Sequence, residues 1–155
     1  MTEPTLRRAG AADAAAIRDL AEAAYQKYVP RIGRRPAPMD ADYAALIDRA
    51  NVWVLIDGDQ LVGSLVTYPE GDHLLLDAVA VAPDAQGRGF GSLLLRRAED
   101  DAHESGLAEV RLYTNAAMTE NLAYYPRHGY VETHRATQDG FDRVFFSKAL
   151  GRPLP

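Results

Sequence analysis

The chain has no cysteine. That absence removes a disulfide framework, a thiolate metal site and a cysteine nucleophile together. Lysine is scarce: of 17 basic residues only Lys27 and Lys148 are lysines and the other 15 are arginines, so any anion contact is made by guanidinium groups. A basic excess is also lacking. The 17 basic residues face 22 acidic ones, a net charge of −5, which argues against a polyanion binder, and no nucleic-acid partner is expected. No apolar run approaches the roughly 18 residues of a bilayer-crossing helix, and Met1 to Gly10 shows no charged-then-apolar leader pattern. The expectation is a cytoplasmic protein with no membrane partner. Repeats, low-complexity segments and internal linkers are absent too. What remains is an ordinary globular composition of 155 residues, 47% hydrophobic and 25% charged. It reads as one domain over residues 1–155, large enough to bury roughly 68–70% of its unfolded surface without staples.

Hydrophobic periodicity divides the chain into alternating elements. Thr5 to Ala9 is a short strand broken by Gly10. Ala11 to Tyr28 places Ile17, Leu20, Ala21, Ala24, Tyr25 and Tyr28 on one face of a 3.6-residue period, and Pro30 is expected to stop this helix. Val29 to Met39, with three prolines, a glycine and three arginines, reads as a stiff loop. Asp40 is the expected cap of a second helix running to Ala50. Val52–Ile56 and Leu61–Tyr68 are strands joined by the hairpin signal Asp57-Gly58-Asp59-Gln60, and Pro69 to Asp72 reads as a turn. The nearly continuous apolar run Leu74–Val81 implies a central strand covered on both faces, with Asp77 its one ionisable residue.

A helix over Phe90–Ser105 follows, closed by Gly106, with Glu99, Asp100, Asp101 and Glu104 expected on an exposed charged face. Val110–Thr114 is a strand and Thr119–His128 a helix ended at Gly129. Tyr130–Thr137 and Phe141–Ala149 are strands joined by Asp139-Gly140. Gly151 to Pro155 is expected to fray. The order βααβββαβαββ is that of an α/β domain of the α+β type with a mixed sheet.

Chemistry concentrates in Gln86-Gly87-Arg88-Gly89-Phe90-Gly91, between the buried strand and a helix. Glycines at alternate positions let backbone curve tightly and approach a ligand, and the helix's unpaired N–H groups aim at the same place. The result is an anion socket fit for a phosphate. A dinucleotide fingerprint would need glycine where Ser92 stands, and a Walker loop would need a following lysine. The bland alternative is a tight strand-to-helix turn with no ligand. His73, His103, His128 and His134 lack metal-ligand spacing, so no metal is expected. Ser64 and Ser92 have no identifiable His/Asp partners.

Val79-Ala80-Val81-Ala82-Pro83 followed by Gln86-Gly87-Arg88-Gly89-Phe90-Gly91 resembles the Gln/Arg-x-x-Gly-x-Gly signature of the GNAT superfamily of N-acetyltransferases. Asn121-x-Ala123-x-Tyr125-x-x-x-Gly129-Tyr130 resembles that family's second block. With the matching element order, the resemblance runs from Thr5 to Leu150. It implies a GNAT fold, a mixed and splayed sheet of seven strands with four helices, and acetyl-coenzyme A as co-substrate. The backbone of Val79, Ala80 and Val81 would pair with the pantothenate arm. Gln86, Gly87, Arg88, Gly89, Phe90, Gly91 and Ser92 would surround the pyrophosphate.

Within that frame Tyr125 is the candidate acid for the leaving thiolate, or else an aromatic packing its helix onto the sheet. Asn121 orients the cofactor or a water, or is a helix-surface residue. Asp77, expected on the face of Val79 and Val81, holds or deprotonates the amine, or simply bonds a nearby backbone group or arginine. The acceptor is expected beside Tyr28, Arg31 and Arg34, in a loop that reads equally as solvated surface. The implied activity is acetyl transfer to a primary amine, on a small molecule, by direct attack in a ternary complex. Transfer to a protein or peptide (N-terminus or lysine) and a non-catalytic acyl-coenzyme A sensor are the alternatives. Open sheet edges would suit a homodimer.

Overall fold

Seven strands form one sheet: β1 (Thr5–Arg8), β2 (Asn51–Asp57), β3 (Gln60–Glu70), β4 (His73–Val81), β5 (Glu109–Asn115), β6 (Val131–Gln138) and β7 (Phe141–Ala149). Four helices accompany them: α1 (Ala14–Tyr25), α2 (Tyr43–Arg49), α3 (Phe90–Glu104) and α4 (Thr119–Arg127). The structure is a computed structural model describing residues 3–151; the tail beyond Gly151, expected to fray, lies outside the described residues. Spatial order in the sheet is β1-β2-β3-β4-β5-β7-β6, so the apolar strand β4 is central, as its composition requires. On one face Leu55, Leu65, Leu74 and Leu76 pack with Leu94 and Ala98 of α3. On the other, Val54 and Val66 pack with Ile17 and Ala21 of α1 and with Tyr43 and Leu46 of α2. Among the described residues no helix is long and apolar enough to cross a membrane.

Two departures from regular pleating shape the centre. β4 and β5 are parallel but paired only at Leu74↔Val110 and Leu75↔Arg111. Beyond those pairs β4 continues to Val81 and β5 to Asn115 with no ladder between them, which is the splay that the resemblance implies. The second departure is a bulge. Ala78 lies opposite Val66 and Leu76 opposite Thr67, which leaves Asp77 as the extra residue. The extra residue inverts the alternation: Leu76 and Val79 pack in the α3-side cluster, while Ala78 packs in the α1-side cluster.

Local expectations need four corrections. Pro30 does not stop the first helical region. A 3₁₀ turn, Gln26–Tyr28, leads into a helical turn, Val29–Ile32, whose first positions tolerate a proline because the N–H there has no intrahelical acceptor. Gly33, in the left-handed region at φ 84°, ends it. A 3₁₀ turn over Ala37–Met39 follows, so the expected loop is largely helical turns. The cap of α2 is Asp42, whose carboxylate accepts from the Ala45 N–H at 3.1 Å, while Asp40 pairs with Arg35 instead. β3 runs through Pro69 to Glu70, shortening the turn expected there. Asp101 is buried rather than on an exposed face. It accepts from the Trp53 indole at 3.0 Å and the Thr67 hydroxyl at 2.6 Å and pairs with Arg97 at 3.0 Å. The helical period alone hid these partners because two of them, Trp53 and Thr67, come from β2 and β3 of the sheet beneath the helix.

Candidate active site

After β4 the chain passes through a 3₁₀ turn, Pro83–Ala85, and enters the glycine turn. Gly87 and Gly89 take φ of 84° and 83°, a region that costs a residue with a Cβ on the order of 1–2 kcal/mol. Gly89 directly precedes α3, and no side chain caps the helix start. The N–H groups of that first turn therefore face a cleft with no protein partner. A Cβ at Gly91 would run into the Tyr124 hydroxyl, so that ring would have to shift to admit a larger residue.

The cleft has a volume of about 520 Å³. Val79, Ala80, Val81, Gln86, Gly87, Gly89, Phe90, Gly91, Ser92, Asn121 and Tyr125 all line it. Arg88 does not. Its guanidinium bonds Asp57 at 2.9 Å and lies 4.6 Å over the Phe90 ring, so the side chain braces the turn from outside. The cations that do line the cleft are Lys27 and Arg127. Sequence reading missed both; the one available signal was that Arg127 stands two residues past Tyr125 in the second block.

Main-chain atoms of β4 are exposed to the gap in register. The Val79 carbonyl accepts from the Tyr25 hydroxyl at 2.8 Å, and the Val81 carbonyl accepts from the Gln86 side chain at 3.3 Å. By contrast, the Ala82 N–H donates across to Val62 of β3 at 2.8 Å. A strand residue sends its N–H and C=O to the same side, so the N–H groups of Val79 and Val81 also point into the gap. Amides opened in this way fit an extended chain carrying its own amides.

A second, smaller cavity of about 150 Å³ lies on the α1 side. Tyr25, Val79, Asn121 and Tyr125 line both spaces and form their common wall. Tyr125 is buried, with its ring edge-on to Tyr124 at 5.5 Å and to Tyr130 at 5.8 Å. Burial first, then the neighbouring Tyr124 and Tyr28, push its phenol well above the usual range. The phenol is therefore protonated and uncharged at physiological pH. Asn121 donates to the Thr114 hydroxyl at 3.0 Å and ties α4 to the open end of β5. Asn115 accepts from the Ala117 N–H at 2.9 Å and shapes the turn that follows.

Asp77 lines the second cavity. The bulge removes it from the face of Val79 and Val81, where regular alternation would put it. Burial raises its carboxyl pKa; Glu70 adds to the rise, and Arg49 and Arg143 oppose it. The carboxylate has neither a hydrogen bond nor an ion pair among the described residues.

The expected acceptor residues are engaged elsewhere. Tyr28 and Arg31 both bond Glu120, at 2.8 and 2.5 Å, with Lys27 3.9 Å away. Arg31 foremost, then Tyr28, holds the Glu120 carboxyl down at about 2. Arg34 donates to the Asp139 carbonyl at 3.1 Å and lies 4.0 Å over the Phe141 ring. Tyr28 lines the larger cleft; Arg31 and Arg34 line neither space. The cation in the second cavity is Arg143 of β7, which sequence reading passed over as one more residue of a strand. Among the described residues no group of three or more His, Asp or Glu side chains is arranged to hold a metal.

A model of the Acetyltransferase (GNAT) family matches residues 14–130. A curated relative, the IAA acetyltransferase of Azospirillum brasilense, is 30% identical over 70 residues, which is 45% of this chain. The chain spans about half, 46%, of that relative's length. PaiA N-acetyltransferase from Thermoplasma acidophilum, solved with coenzyme A, superposes with a TM-score of 0.80 at 16% identity, covering 96% of this chain and 99% of that one. The ribosomal-protein-S18-alanine N-acetyltransferase of Escherichia coli gives 0.76 at 20% identity, over 97% and 96% of the two chains. At such identities the two solved structures show the fold.

Proposed function

The chain belongs to the Acetyltransferase (GNAT) family, and from that premise we propose that it transfers an acetyl group from acetyl-coenzyme A to the primary amine of a small molecule, by direct attack within a ternary complex. The observation that carries the reading is the wall shared by the two cavities. The larger cleft has open strand amides and an uncapped helix start for an amide-bearing, diphosphate-bearing tail, with Lys27 and Arg127 beside it. The smaller takes the acceptor, and the two meet at Val79, Asn121, Tyr25 and Tyr125.

Acetyl-coenzyme A supplies the activated acyl group as a thioester. The chain's own contributions follow from the positions given above. The Val79 N–H donates to the carbonyl oxygen on which negative charge builds. The Tyr125 phenol, kept protonated by burial, delivers a proton to the departing sulfur. Asp77 receives the ammonium and draws off a proton, directly or through water. A lysine-like amine near pKa 10.4 costs roughly 5 kcal/mol to deprotonate at pH 7, whereas an α-amine near 7.7–8.0 costs about 1. The small size of the second cavity favours a small acceptor over a protein terminus.

The test is release of free thiol from acetyl-coenzyme A across amino acids, polyamines, aminoglycosides and peptides. Release with small primary amines is expected. Binding of acetyl-coenzyme A with no amine-dependent thiol would indicate a sensor, and release with peptides alone would indicate a protein-modifying enzyme.

A further inference from the structure

We propose that the acceptor is a small amino-carboxylate, its carboxylate gripped by Arg143 and its amine directed to Asp77 and the shared wall. The inference rests on the acetyl transfer proposed above and names the class of amine it uses.

The second cavity holds two charged side chains, one of each sign, on different strands. They do not pair with each other. Asp77, on the bulge of β4, has no hydrogen bond or ion pair among the described residues, although Arg143 is near enough to lower its pKa against the effect of burial. Arg143 leaves β7 opposite Asn115, at the open end of β5, and its side chain is only 10% exposed. The guanidinium lies 4.3 Å over the Tyr113 ring and 5.6 Å over that of Phe141. One terminal nitrogen donates to the Gln138 side chain at 3.1 Å, and the same nitrogen is 3.7 Å from the largely exposed Asp139.

Aromatic stacking and one tethered nitrogen thus fix the plane of the group. Its remaining N–H donors have no partner among the described residues. A guanidinium offers five donors in a fixed fork that matches a carboxylate with two parallel hydrogen bonds. Among the described residues Asp77 has no charged partner and Arg143 has only the long contact to the exposed Asp139, so a ligand bearing both charges would satisfy the two together. The pair adds no net charge, which suits a zwitterion better than a polyamine or a phosphate ester. Asp77 is two residues from Val79, whose N–H faces the gap, so an amine held there lies beside the transfer point. Tyr43, Pro38 and Phe141 supply apolar walls, so an uncharged, apolar remainder is the better fit.

The experiment compares, in the full-length protein, each standard amino acid with its carboxamide and its decarboxylated amine in the free-thiol assay. For the best amino acid, kcat/KM should exceed that of both analogues on the order of 10²-fold. In Arg143→Met that preference should collapse toward one, with the loss carried by KM, while calorimetric acetyl-coenzyme A affinity stays put. Arg143→Lys, which keeps the charge but loses the fork, should retain part of the preference and guards against a variant that fails to fold. Equal turnover of all three compounds by the wild type overturns the inference while leaving acetyl transfer intact, as does an Arg143→Met loss that is the same for each. No thiol release with any amine overturns acetyl transfer and, with it, this assignment.

Discussion

Tyr125 is set in place by packing, with aromatic rings on several sides and burial keeping its phenol protonated. Removing the hydroxyl leaves that packing whole. Tyr125→Phe is expected to lower kcat roughly 10²–10⁴-fold with acetyl-coenzyme A affinity nearly unchanged; turnover equal to wild type would remove the residue from the chemistry.

Burial raises the pKa of Asp77 as well, but there it disfavours the form a base needs. Its folded pKa is raised by burial and Glu70 against Arg49 and Arg143, with Tyr43, Tyr68 and Tyr113 also sensing its charge. As a base it works only once ionised, so activity should climb as pH rises through that raised value, and Asp77→Asn should lose this acidic limb. The linkage has the matching sign: the folded state prefers the protonated acid, a preference present at low pH and lost as pH rises through the folded pKa. Asp77→Asn should therefore melt no lower than wild type at pH 7, and a clear fall in its thermal midpoint would show that the carboxylate supports the fold. Asp101 is the contrasting carboxylate. It satisfies Trp53, Thr67 and Arg97 in the interior, so Asp101→Ala should cost about 3–5 kcal/mol in denaturant unfolding.

Among the elements, the glycine turn with α3 is the most exacting. Gly89→Ala forces a Cβ into φ near 83°, where the surrounding space is open but the backbone is strained. The expected outcome is weaker acetyl-coenzyme A binding in calorimetry with a loss of stability of about 1–3 kcal/mol, because relaxing the turn re-aims the N–H groups of α3. This element was legible in the sequence, since glycine spacing and a preceding apolar strand are local signals. The strands and four main helices were legible for the same reason. The bulge at Asp77 was not, because it exists only in the register between β3 and β4 and no residue near it announces an extra position. The helical turns between α1 and α2 were missed because proline was taken as a stop, although it is well tolerated in a helix's first turn. The settings of Arg143 and Asp101 were missed for a common reason: Asp77 and Tyr113 beside the one, and Trp53 and Thr67 beside the other, are distant in the chain.

At the scale of the molecule, the sheet is one body on either side of an open seam. Beyond Leu75 and Arg111, β4 and β5 part, and side chains rather than a ladder span the opening. Tyr25 reaches the Val79 carbonyl, Asn121 joins α4 to β5, and Glu120 clasps Tyr28 and Arg31 across the mouth. Much of the larger cleft's lining was readable because Val79 to Ser92 is contiguous in sequence. The smaller cavity was not, because its walls come from β4, β5, β7 and the turns before α2. The most direct test of the account is amide hydrogen exchange by NMR with and without acetyl-coenzyme A. Slowed exchange is predicted at the Val79 and Val81 amides and along Gly87 to Ser92, with β1 unchanged. Unaltered exchange at Val79 and Val81 under saturating acetyl-coenzyme A would contradict it.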